Sequence, residues 1–176
     1  MKSVRSLPGH LAKAGAFEGG NALCLINYMT QRTEKKYFIF VSFQGFPELS
    51  PVDSKKYAKG DHKTMKSFAQ IKMDFSIHSI VHLIRGIVPE TFSQIPVDTQ
   101  FSSVFFDFDL YRPALDTFQS FWPRLVVGGC LPIHDFFCEE GGFEGVKVAT
   151  HEFFDNRKDS EVLFLLEGTM AVVRKV

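Results

Sequence analysis

Two carboxylates, Asp107 and Asp109, close the stretch "FFDFDLY" (105–111), which otherwise reads as the interior of a sheet. An ionised carboxylate without a partner is costly to bury, by several kcal/mol in order of magnitude, so these groups either reach solvent or are held. A helix of about a dozen residues follows, and the next apolar run, "CLPIHDFF", ends on His134 and Asp135. A strand–helix–strand crossover in a parallel sheet brings the ends of the two strands to one edge, on neighbouring or nearby strands. Two carboxylates and an imidazole converging there suit a divalent cation whose shell is completed by water and substrate oxygens. The same residues also suit solvated strand ends, or Asp107 as a cap on the following helix.

A second constellation is "AGAFEGGN" (14–21). Gly15, Gly19 and Gly20 permit a sharp turn and close approach of a ligand to the backbone, and Asn21 is placed to cap the helix "ALCLINYM". The free N–H groups of that helix end suit an anionic group. The spacing is GxxxGG rather than GxGxxG, so a ligand loop and a plain tight turn both fit. The lysines at 55, 56, 59, 63, 66 and 72 are interleaved with Asp53, Asp61 and Asp74, which reads as a solvated face. His10, His62, His78 and His82 lack ligand spacing, His151 lies on an expected amphipathic helix, and no GxSxG elbow is present.

The elements that must position these residues alternate. "HLAKAGAF", "KYFIFVSF", "SIVHLIRG", "SSVFFDFD" and "CLPIHDFF" read as strands, separated by helix-compatible segments and by a polar loop over 48–63. Short runs apolar on both faces belong to a parallel sheet covered by helices on both sides. "EVLFLLEGTMAVVRKV" holds two strand-like runs around a turn, which reads as a hairpin closing one edge. The expectation is a single α/β domain over 1–176, a Rossmann-like, mostly parallel central sheet with a C-terminal antiparallel hairpin, and ligands beyond the carboxyl ends of its strands.

Composition narrows the function. Lysine plus arginine equals aspartate plus glutamate at 20 each, so no net field favours nucleic acid or an anionic membrane. With 45% hydrophobic and 23% charged residues the chain is globular, and no apolar run has the length of a membrane span. The N-terminus lacks a signal-like apolar core, and Cys24, Cys130 and Cys138 are without CxxC spacing, so free thiols and a cytoplasmic location are expected. A homodimer is left open.

Taken in order, "LPGHLAKAGAFEGGNA", "FIFVSFQGFPE", "GDH" (60–62), "IRGIVPETF", "FFDFDLYRPALDTFQSFWPRLVVGGCLPIHDFF" and "GVKVATHEFF" resemble the landmarks of the macrocin O-methyltransferase (TylF-like) family, over about residues 7 to 155. That family is a branch of the class I S-adenosylmethionine-dependent methyltransferases that methylates hydroxyls on sugars of natural products. The resemblance implies that Gly15, Ala16, Phe17, Gly19, Gly20 and Asn21 lie under the methionine part of S-adenosylmethionine, Ser42 and Phe43 near its ribose and adenine, and Gly86 and Ile87 on the adenine side. Asp107, His134 and Asp135 would occupy the magnesium positions beside a small-molecule or sugar hydroxyl, whose proton goes to Asp107 or Asp109. Three positions depart from the family, which usually has acidic residues where this chain has Lys13, Val41 and His134. They motivate an alternative reading, a non-catalytic methyltransferase-fold protein acting as a binding or partner subunit.

Overall fold

The computed structural model describes residues 4–30, 35–137, 142–164 and 169–176, and the side chains of all of these except 27–30 and 164. Among the described residues seven strands form one sheet: β1 (His10–Ala14), β2 (Tyr37–Val41), β3 (Val81–Arg85), β4 (Phe101–Phe106), β5 (Leu125–Ile133), β6 (Ser160–Phe164) and β7 (Ala171–Lys175), in the order β3-β2-β1-β4-β5-β7-β6. β1 to β5 pair in parallel, and β7 lies antiparallel between β5 and β6. The hairpin read from the sequence therefore supplies both an interior strand and an edge. "YFIFV" is buried at all five positions, as the interior place of β2 between β1 and β3 requires.

Among the described residues four α-helices cover the sheet: α1 (Gly20–Thr30), α2 (Phe68–Asp74), α3 (Tyr111–Phe121) and α4 (Glu144–Phe154). On one face Leu11, Tyr37, Ile39 and Val41 pack with Ala22 and Ile26 of α1 and with Ile71 and Phe75. On the other, Phe38, Phe40, Phe101 and Phe106 pack with Phe118, Phe121, Trp122 and Phe154. Much of the chain's phenylalanine goes here, in edge-to-face pairs such as Phe40–Phe121 at 5.2 Å and Trp122–Phe154 at 4.9 Å between centroids. Truncating one of these rings costs about 3–5 kcal/mol in a core of this kind.

Two boundaries differ from the sequence expectation. β5 begins at Leu125 rather than at Cys130, because α3 gives way to a 3₁₀ turn over Trp122–Arg124 that contains Pro123, and the backbone then enters the sheet early. Gly128, at φ +81°, falls within the register irregularity that lets "LVVGG" join the strand. α1 starts at Gly20, so Asn21 lies inside the first turn and is not its cap. Cys24 and Cys130 are free thiols, and Cys138 falls outside the described residues. Among the described residues no helix is long and apolar enough to cross a membrane.

The far end of the sheet is tied by Asp159, whose carboxylate accepts bonds from Arg157 Nε and Nη2 and from Trp122 Nε1, each at 2.9 Å. Arg157 first, then Trp122, hold its pKa at about 2, below the ordinary 3.8. A depressed carboxyl pKa stabilises the fold above the unfolded value, and that contribution is lost as pH falls through the folded one. Asp159 is 42% exposed, so the effect is screened and small. Thermal melts should show a modest Tm gap between wild type and Asp159→Asn near neutral pH, closing as pH falls from 3.8 to about 2.

Candidate active site

The strand order reverses direction between β1 and β4, the place in an open α/β sheet where loops diverge and leave a crevice. The ladder runs one residue past the ends of the strands there. Gly15 N–H donates to Phe40 O (3.0 Å), Gly86 N–H to Val41 O (3.0 Å), Asp107 N–H to Ala14 O (2.8 Å) and His134 N–H to Phe106 O (3.0 Å). These four bonds set Gly86, Gly15, Asp107 and His134 in one row along the carboxyl edge.

A cavity of about 350 Å³ opens over that row. Its lining includes Gly15, Ala16, Phe17, Ser42, Phe43, Gly86, Ile87, Asp107 and Asp109, all read as site residues from the sequence. Gly19, Gly20 and Asn21 are not in the lining; they form the entry to α1 beside it, where a Cβ on Gly19 would meet the ring of Phe75 at 3.1 Å. His134 and Asp135 also stand outside the lining, next to Asp107. Among the described residues five non-glycine residues have a positive φ, and all lie here: Phe17 (45°), Phe43 (64°), His62 (55°) and Asp109 (63°) on the cavity wall, and Asp135 (58°) beside it. Strain of this kind persists where surrounding structure over-determines the backbone, and it collects at ligand sites.

The partner of Asp107 is a side chain the sequence reading had counted only as a departure. Lys13 of β1 is fully buried, and its Nζ lies 2.5 Å from Asp107 Oδ2 and 4.5 Å from the ring centroid of Phe105. The charge in "FFDFDLY", for which the sequence suggests a divalent cation, thus has an ammonium beside it as well. The other oxygen, Asp107 Oδ1, lies 3.3 Å from His134 Nδ1, which is 2.8 Å from Asp135 Oδ2. These approaches lack hydrogen-bond geometry, and His134 Nδ1 is buried without a hydrogen-bond partner. A ring nitrogen aimed between two carboxylates suits a cation, and one ligand atom each from Asp107, His134 and Asp135 lies within 4.8 Å of the others. The residues present therefore fit a divalent ion, with imidazole favouring softer ions than magnesium.

Asp109 is pushed up to about 8 by burial, then by the charges of Asp107 and Asp135 and a hydrogen bond to Asp135, with Lys13 opposing. Its Oδ2 lies 3.6 Å from His62 Nδ1. His62 had no recognisable spacing in the sequence; the polar loop 42–67 carries it into the cavity wall against Phe46, at 4.5 Å between ring centroids. That loop is pinned by Asp53, which is buried and accepts from Ser50 N (2.7 Å) and from Tyr111 N (2.8 Å), the first N–H of α3. α3 has no side-chain cap of its own, so a loop residue distant in sequence supplies one. Asp53 is thus buried and bonded, and does not belong to the solvated face that its interleaved lysines suggest. His151 is half-exposed on α4 with Asp155 at 3.1 Å, as expected for a surface role.

A seven-stranded sheet with this order, a glycine turn after β1 and acidic ends on β4 and β5 define a class I methyltransferase fold. The chain belongs to the macrocin-O-methyltransferase (TylF) family, which it matches over residues 2–175. It is 25% identical over 146 residues to a demethyldecarbamoylnovobiocin O-methyltransferase of Streptomyces niveus, covering 74% of this chain and 54% of that one. It is 21% identical over 174 residues to an 8-demethyl-8-(2,3-dimethoxy-alpha-L-rhamnosyl)-tetracenomycin-C 4'-O-methyltransferase of Streptomyces olivaceus, covering 93% of this chain and 64% of that one. The chain thus spans between about half and two thirds of the length of these relatives. Among solved structures, the calicheamicin methyltransferase CalS11 superposes with a TM-score of 0.78 at 18% identity, over 97% of this chain and 74% of that one. The S-adenosylhomocysteine-bound methyltransferase PaMTH1 of Podospora anserina gives 0.65 at 13%, over 96% and 72%.

Gly15 is the tightest point of the site. Its φ is +88°, and a Cβ there would lie 2.0 Å from the carbonyl oxygen of Asp107. Gly15→Ala should lower stability by about 2 kcal/mol or more and displace Asp107, read as a fall in Tm and in the denaturant midpoint.

Proposed function

We propose that this chain transfers a methyl group from S-adenosylmethionine to a hydroxyl of a sugar in a natural product or glycan. The observation that carries the reading is the single cavity lining that joins the glycine turn of β1, the end of β2 and Gly86 to Asp107 and Asp109. Membership of the TylF family supports the chemistry, relatives named for sugar-bearing natural products support the acceptor class, and a neighbour bound to S-adenosylhomocysteine supports the cofactor.

S-adenosylmethionine supplies an electrophilic methyl on a sulfonium. Gly15, Ala16 and Phe17 would border its methionine part, with Gly19, Gly20 and Asn21 behind them at the α1 entry. Ser42 and Phe43 would border ribose and adenine, and Gly86 and Ile87 would close the adenine side. Asp107, His134 and Asp135 would hold a divalent cation, which supplies charge that orients the acceptor and acidifies its hydroxyl. Asp107 divides its oxygens between Lys13 and His134, so its role is to hold charge in place. Asp109 is the group left to take the acceptor proton, once ionised at a pH near or above its raised pKa of about 8: it lines the cavity, and His62 stands 3.6 Å away as the next group along a path to solvent.

A second reading rests on Val41. This buried residue lines the cavity where the family places an acid for the ribose hydroxyls, and a binding or partner subunit needs no such acid. Isothermal titration of S-adenosylhomocysteine separates the two. Wild type should bind, and Val41→Asp should bind more tightly by about tenfold, the value of a charge-assisted hydrogen bond. Absence of binding by both would leave the partner-subunit reading. For the enzyme, Asp109→Asn should reduce kcat by about 10²–10⁴ while S-adenosylhomocysteine affinity stays near that of wild type.

A further inference from the structure

Among the described residues, Lys13 is the one lysine or arginine that is buried, and it has no exposed surface. It leaves β1 in register with Phe105 of β4, passes its ammonium over the Phe105 ring and ends on Asp107 Oδ2. A surface lysine trades partners freely with water. A fully buried lysine on a central strand, with its carboxylate 2.5 Å away, keeps the one it has. The same Asp107 offers its other oxygen to His134, and Asp135 completes the group. With His134 neutral, the formal charges of Lys13, Asp107 and Asp135 are plus one, minus one and minus one, leaving a single net negative charge to attract an ion. Without Lys13 the net would be minus two.

We propose that Lys13 is the resident cation of this site: it neutralises Asp107 in place, so that a divalent ion is held weakly, through His134 and Asp135 more than through Asp107. Ligand charge sets the affinity of oxygen-rich cation sites, and here one carboxylate is already half spent on an ammonium. The pairing also gives the Asp107 carboxylate an opposite charge at the end of an interior strand. The functional meaning of the inference rests on the methyl-transfer reading; its binding test does not.

Mn²⁺ alone is the probe, titrated into the full chain and followed by the EPR signal of free Mn²⁺ and by thermal unfolding. Wild type should bind weakly and gain little Tm. Lys13→Met should bind at least about tenfold tighter, because the ligand charge doubles, and its lowered Tm should recover as Mn²⁺ is added. Both gains should vanish in Lys13→Met/His134→Ala, which removes the imidazole from the cluster. Lys13→Gln, which keeps a donor for Asp107 but no charge, serves the same comparison if the methionine variant does not fold. Wild type binding Mn²⁺ as tightly as either neutral variant overturns the proposal. S-adenosylhomocysteine titrated in parallel reports on the methyl-transfer reading by itself: its failure to bind would remove that reading and leave the Mn²⁺ result standing.

Discussion

The ion pair between Lys13 and Asp107 is the contact on which the geometry of the site turns. It joins β1 to the residue just past the end of β4, and these are the two strands at which the sheet order reverses. Burying an ammonium and a carboxylate costs several kcal/mol for each ion, recovered only when the geometry is close and the remaining hydrogen-bond capacity is used. Here Nζ to Oδ2 is 2.5 Å, an aromatic face flanks the cation, and the backbone N–H of Asp107 is spent on Ala14. Removing either partner from such a pair is worth about 3–5 kcal/mol, so the two residues hold each other's positions.

The acidic groups at the ends of β4 and β5 gather around that fixed point. His134 faces the oxygen of Asp107 that Lys13 does not use, and Asp135 faces His134. Asp109 sits close enough to both aspartates for their charges to help raise its proton affinity, which burial raises further. Three carboxyl groups crowded at one strand edge would repel one another; the lysine lowers the net charge, and the backbone at Asp109 and Asp135 accepts a left-handed conformation to turn their side chains into place. The loop that carries His62 is then held from the opposite side by Asp53, which caps α3 and so ties loop, helix and strand end together.

The family relationship and the geometry bear on different questions. Family and fold rest on an ordered match along nearly the whole chain and on superpositions with methyltransferases. The character of the site rests on Lys13, Val41 and His134, which place an ammonium, an apolar side chain and an imidazole along the carboxyl edge. None of the three adds the negative charge that attracts a cation, whether a metal ion or a sulfonium.

Much of this was legible in the sequence. Alternating apolar runs gave the parallel sheet, two runs around "EGT" gave the antiparallel hairpin, and "GAFEGG" and the acidic strand ends marked the edge where a ligand would sit, because periodicity and glycine placement are local properties. The strand limits of β5 were not, since a proline turn and a glycine irregularity let more of the chain join the sheet than its hydropathy suggested. Nor were the contacts that define the chemistry. Lys13 meets Asp107 across 94 residues, and Asp53 caps Tyr111 across 58. A lone lysine in a strand and an aspartate in a polar loop carry no periodic signal. Their partners are chosen only when strand order brings β1 beside β4 and packing excludes the water that would otherwise have satisfied them.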